Sequence, residues 1–121
     1  MVRLLKILKK DYNIYAFSNT NEFHEKINKK RGVYNYFSKV FLSNIIGFQK
    51  PEKQSFEFVI KNMAENPQES IFIDDNLDNI NTAKEFGLKT ILYNNYIQLI
   101  KELKILGVKL KWTSASSNPL K

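Results

Sequence analysis

Short apolar runs alternate with stretches of helical spacing along the 121-residue chain. Ile14 to Phe17 and Ile71 to Ile73 carry apolar residues with no clear polar face, the pattern of strands buried on both sides, and Val40 to Ser43 and Thr90 to Tyr93 read as two further strands. Between and around them the period changes. Leu4, Leu5 and Leu8 share one face of an N-terminal helix with Lys9 and Lys10 at its last turn, where cations suit the dipole. Glu22 to Lys30 reads as a charged helix ended by Gly32. Phe56, Val59, Ile60 and Met63 form an i, i+3, i+4, i+7 stripe behind Lys50-Pro51, and Asn66-Pro67 ends it. Leu77, Ile80 and Ala83 recur every three residues before Gly87, and Ile97, Ile100 and Leu103 mark a last helix.

Strands alternating with helices predict an α/β fold, a parallel sheet with helices on both faces. Right-handed crossovers place the strand ends on one edge, which in open α/β sheets is the ligand-binding edge. Three ends carry chemistry: Ser18 and Asn19 after the first strand, Lys50 after the second, and Asp74-Asp75 after the third.

Adjacent carboxylates stay ionised together at low cost only when a cation, hydrogen bonds or water separates them. Magnesium, held by one or two carboxylates and by phosphate oxygens, is one such partner. The plainer alternative is that Asp75 or Asn76 caps a helix and Asp78 complements its dipole. Lys50 suits phosphate as a point charge. Each group alone has an ordinary surface explanation; the coincidence at successive strand ends is what favours a phosphate and a divalent cation. Walker-type and Gly-x-Gly-x-x-Gly loops are absent, and His24 reads as a surface residue.

Composition narrows the classes. With 43% hydrophobic and 13% aromatic residues the chain is globular, one small domain. It has no cysteine, no signal-peptide pattern and no membrane-length apolar run, so a cytoplasmic protein without membrane association is expected. The net charge of +7 is spread along the chain among glutamates, and specific nucleic-acid binding is not expected. From Lys111 the composition turns to a loose tail, so residues 1–110 are expected to form a partial core domain and 111–121 a flexible tail.

Ser18-Asn19-Thr20-Asn21, Lys50-Pro51 and Ile73-Asp74-Asp75-Asn76-Leu77-Asp78-Asn79-Ile80 resemble the haloacid dehalogenase-like (HAD) hydrolase superfamily, nearest to sugar-phosphate phosphatases of the glucose-1-phosphate phosphatase type. The resemblance runs from about Ile14 to Tyr93. It implies a Rossmann-like three-layer core and a magnesium-dependent phosphatase acting on a phosphorylated small molecule such as a sugar phosphate. It also implies roles. Ser18 and the Asn19 amide would bind the phosphoryl group, and Lys50 would neutralise it as the catalytic lysine. Asp75 and Asp74 would hold Mg²⁺, with Asp78 and Asn79 bracing them.

The family's Asp-x-Asp-x-Thr/Val motif, which supplies the nucleophile, is absent, as is the cap; Asp11 precedes the strand it would have to end. The resemblance therefore implies a core lacking its first, central strand. The expected chain is the C-terminal portion of a hydrolase, inactive alone and dependent on an N-terminal segment, through truncation, gene splitting or conversion to a pseudoenzyme. The alternative is a non-catalytic module that binds a phosphorylated ligand or a protein.

Overall fold

The computed structural model describes residues 2–18, 37–42, 50, 52–63 and 65–110. Helix α1 (Val2–Asp11) leads into strand β1 (Tyr15–Ser18), which pairs in parallel with β2 (Lys39–Leu42) from Tyr15 opposite Lys39 to Ser18 opposite Leu42. Helix α2 (Lys53–Met63) and a 3₁₀ turn (Pro67–Glu69) precede β3 (Ile71–Asp74) and helix α3 (Leu77–Glu85). Strand β4 (Lys89–Leu92) pairs in parallel with β3, Ile73 opposite Ile91, and α4 (Tyr96–Ile105) follows. The expected helix over 22–30, with His24, lies outside the described residues, as do Asn19 and the segment 111–121.

Side chains of a strand alternate between faces, and here the alternation builds three layers. Ile71 packs against a core of Leu4, Ile91, Leu99 and Leu103, contributed by α1, β4 and α4. Phe72, pointing the other way, meets Phe56 of α2 with ring centroids 5.3 Å apart. Val59, Ile80 and Ala83 are also buried, and α3 packs on β3 and β4. Among the described residues no helix is long and apolar enough to cross a membrane.

The helices begin and end for local reasons. Asn76 caps α3, its side chain accepting from the Asn79 amide. Asn95 and Gln98 form a reciprocal capping box on α4, and Gln98 Nε2 also donates to the Leu92 carbonyl, tying that helix to β4. Gly87 takes φ +84°, a conformation that favours glycine, and turns the chain from α3 into β4.

Three expectations shift. In α4 the buried arc is Leu99, Ile100 and Leu103, while Ile97 is 39% exposed, because it lies on the side of the helix that carries exposed Lys101 and Lys104. In α1, Ile7 is buried beside Leu4, and Leu5 is only half-buried. Leu77 lies at the exposed start of α3.

The sheet is divided where the resemblance implies that a first, central strand is lacking. The four strands form two separate two-stranded sheets, β1–β2 and β3–β4. Tyr15, Ala16, Phe17, Ile71 and Phe72 are accordingly only half-buried and Ile73 is exposed, although their sequence reads as fully covered strands. Each of these strands lacks a lateral neighbour on its second edge among the described residues.

Candidate phosphate and metal site

Lys50 joins the two half-sheets at their carboxyl ends. Its ammonium donates to the Phe17 carbonyl at 2.9 Å and to Asp74 Oδ2 at 2.7 Å. It also stands 5.1 Å from the Phe17 ring centroid and 5.7 Å from that of Phe72. A cation over two ring faces and between two oxygens is strongly localised. The side chains of Lys50 and Asp74 are only 10% and 9% exposed, so water screens their attraction weakly.

Asp74 is held from three directions. Besides Lys50, Asn79 Nδ2 donates to Oδ2 at 3.2 Å, and the Asn76 amide donates to Oδ1 at 3.0 Å. The local sequence makes this possible. The strand ends at Asp74, two residues turn, and the Asn76 cap sets the first turn of α3 so that buried Asn79 faces back to the strand end. Burial is the strongest single influence on the Asp74 carboxyl and raises its pKa. The Lys50 hydrogen bond, the Asn76 amide, the Lys50 charge and Asn79 together outweigh it and hold the group below the ordinary carboxylate value.

A carboxyl depressed on folding adds stability that is present above its unfolded pKa and is lost as pH falls through the folded value. Asp74 therefore makes the fold acid-sensitive below about pH 4. Asp74→Asn should flatten the dependence of the urea midpoint on pH as pH falls below about 4. Parallel curves for the two proteins would exclude Asp74 as a source of that dependence.

Each sequence-derived candidate has a definite place. Asp74, Lys50 and Asn79 form one hydrogen-bonded cluster. Asp75 is the exposed residue immediately after it, and Asp78 lies exposed in the first turn of α3, its carbonyl accepting from Thr82 Oγ1. The backbone of Ser18 adjoins the Phe17 carbonyl that Lys50 holds; its side chain, like Asn19, lies outside the described residues. Sequence reasoning placed Lys50 and Asp74 on one rim but did not foresee that they pair with each other. It also missed Phe17 and Phe72, whose rings and carbonyl seat the lysine; the only signal was an aromatic near the end of each strand.

The donor set suits a hard cation. Two neighbouring carboxylates offer oxygen ligands, and Mg²⁺ ordinarily takes one or two carboxylates and completes its shell with water and phosphate oxygens. Among the described residues no cluster of three or more acidic, histidine or cysteine side chains could hold a metal without such help.

Comparison with known proteins identifies relatives of this chain. The chain is 33% identical over 106 residues to the D-ribitol-5-phosphate phosphatase of Bacteroides thetaiotaomicron, covering 82% of this chain and 52% of that protein. It is 32% identical over 100 residues to flavin mononucleotide hydrolase 1 of Arabidopsis thaliana, covering 83% of this chain and 41% of that one. Its structure matches that of a HAD family enzyme from Bacteroides thetaiotaomicron in complex with magnesium and inorganic phosphate. The TM-score is 0.71 at 34% identity, over 79% of this chain and 53% of that chain. The chain thus spans about half the length of such relatives. The family model for haloacid dehalogenase-like hydrolases matches residues 1–87, and with the parallel strands and the Lys50–Asp74 rim this chain belongs to that family.

Proposed function

We propose that this chain is the phosphate- and magnesium-binding portion of a phosphomonoesterase that hydrolyses a phosphorylated small molecule such as a sugar phosphate in the cytoplasm. The observation that carries the reading is the seat of Lys50, an ammonium fixed where two parallel half-sheets end. There it would neutralise a transferring phosphoryl group, with Ser18 and Asn19 binding the same group. Asp75 and Asp74 would hold Mg²⁺, which when bound supplies charge neutralisation at phosphate oxygens. Asn79 keeps Asp74 oriented and Asp78 braces the same turn. Catalysis of this kind is mostly positioning and charge stabilisation. The nucleophilic carboxylate is not among these residues, so the chain alone is inactive.

The test has two arms. The purified chain should leave a generic aryl phosphate intact, yet bind inorganic phosphate in the presence of Mg²⁺ by phosphorus-31 NMR. Lys50→Ala and Asp75→Asn should each abolish that binding. Turnover that disappears with Lys50→Ala would show that the chain does hold its nucleophile; absence of any magnesium-dependent phosphate binding would remove the site.

A further inference from the structure

We infer that the corner where α1 and α4 end together rests on an anionic lipid surface, its lysines meeting the headgroups and Ile105 entering as an apolar tip. This goes beyond the phosphate site and does not depend on it. The chain has no run long enough to span a bilayer, which is the basis for expecting no membrane association, but lying on a bilayer requires no such run.

The fold builds the corner. Helices α1 and α4 cover the same face of the sheet through Leu4, Leu99 and Leu103. Helix α1 runs into β1 and α4 runs back from β4, so both finish at the amino edge of the strands, opposite the Lys50–Asp74 rim. Gly107, at φ +89°, turns the chain out of α4, and the Lys109 amide then donates to the Tyr12 hydroxyl at 3.1 Å, just past the end of α1. That bond holds the two helix ends together. Lys9, Lys10, Lys101, Lys104 and Lys109 are exposed around them, with Tyr12 39% and Ile105 82% exposed.

Charge on this layer is one-sided. Its acids among the described residues are Asp11 and Glu102, and Glu102 Oε2 is shut off from water with no hydrogen-bond partner among them. Helices α2 and α3 on the other face are balanced, Lys53, Lys61 and Lys84 against Glu57, Asp78 and Glu85, and Lys53 is paired with Glu85. Helix dipoles account for lysines in a last turn. They do not account for an isoleucine left open to water one turn from Lys101 and next to Lys104. An anionic bilayer stabilises both features, since its surface potential attracts the lysines and its interior takes up the apolar tip. Protein interfaces are poor in lysine at their cores, and a nucleic-acid backbone gains nothing from isoleucine. Docked by this corner, the chain keeps the rim at the far edge of the sheet open to solution.

Sedimentation of the full chain with vesicles tests this. It should bind phosphatidylcholine vesicles that contain phosphatidylserine and not pure phosphatidylcholine, with affinity falling as salt rises. Ile105→Ser should weaken binding at least about fivefold. Lys101→Gln combined with Lys104→Gln should weaken it more than about tenfold. Lys61→Gln combined with Lys84→Gln, on the opposite layer, should change it less than about twofold. All these sites are exposed, so the variants keep the fold, and circular dichroism verifies this. No binding to anionic vesicles, equal binding to neutral ones, or equal losses from the two lysine pairs overturns the inference. So does an affinity unchanged by Ile105→Ser. Tighter binding to a DNA duplex at the same salt, kept by Ile105→Ser, would also overturn it by making nucleic acid the partner.

Discussion

Phe56→Ala is expected to cost about 3–5 kcal/mol of stability, a large loss for a single substitution. The ring is 1% exposed and touches Phe17 of one half-sheet, Phe72 of the other and, stacked at 6.1 Å, Phe86 beyond α3. No strand ladder links the half-sheets among the described residues, so this aromatic contact is a principal link between them. Truncation leaves a cavity that two incompletely paired sheets cannot refill. Domains of ordinary stability have about 5–15 kcal/mol in hand, so the variant should be largely unfolded at room temperature or close to it. Urea unfolding followed by circular dichroism would measure the change. A loss below about 1 kcal/mol would mean that the half-sheets are held together elsewhere.

Lys50→Met should lower stability at neutral pH by about 2 kcal/mol and abolish phosphate binding at the rim. Removing one partner of a buried pair usually costs about 3–5 kcal/mol, because the other charge is stranded; the position at the rim, where water can enter, reduces this. Asp74 would keep Asn79 and the Asn76 amide but lose its counter-charge, and the Phe17 carbonyl would lose the ammonium it accepts from. The methionine stem retains the packing against the two rings, so the effect isolates the charge. A double variant with Asp74→Asn should recover part of the lost stability, since no charge is then left unpaired. Additive losses would show that the pair contributes through separate contacts and not through each other.

The elements themselves were legible because each depends on neighbours in the chain. Helix α2 has its Phe56 and Val59 stripe, α3 starts at an asparagine and ends before a glycine in the positive-φ region, and β3 and β4 fall within a residue of their apolar runs. Where local reasoning failed, a distant group had intervened. The period through Ile97 is helical, but the face packed against Leu4 and Ile91 is the one through Leu99 and Leu103, which leaves Ile97 on the exposed side. Ile73 reads as a covered strand residue, and only the arrangement of sheets leaves it open.

The same division holds for the chemistry. A lysine and a carboxylate pair at strand ends could be assigned to a common edge from topology, because right-handed crossovers leave few alternatives. That the ammonium spends its bonds on Asp74 Oδ2 and a backbone carbonyl, above two phenyl rings, is set by distances across 24 and 33 residues of sequence. Among the described residues, sequence alone thus determined which segments form helices and strands, which edge carries charge, and that the acidic couplet ends a strand. Those properties follow from period, turn residues and chain handedness. Tertiary structure alone decided that Asp74 is neutralised within the chain and that Lys50 is seated above the rings of Phe17 and Phe72. Both depend on which groups are brought within a few ångströms through space, and no local pattern encodes that.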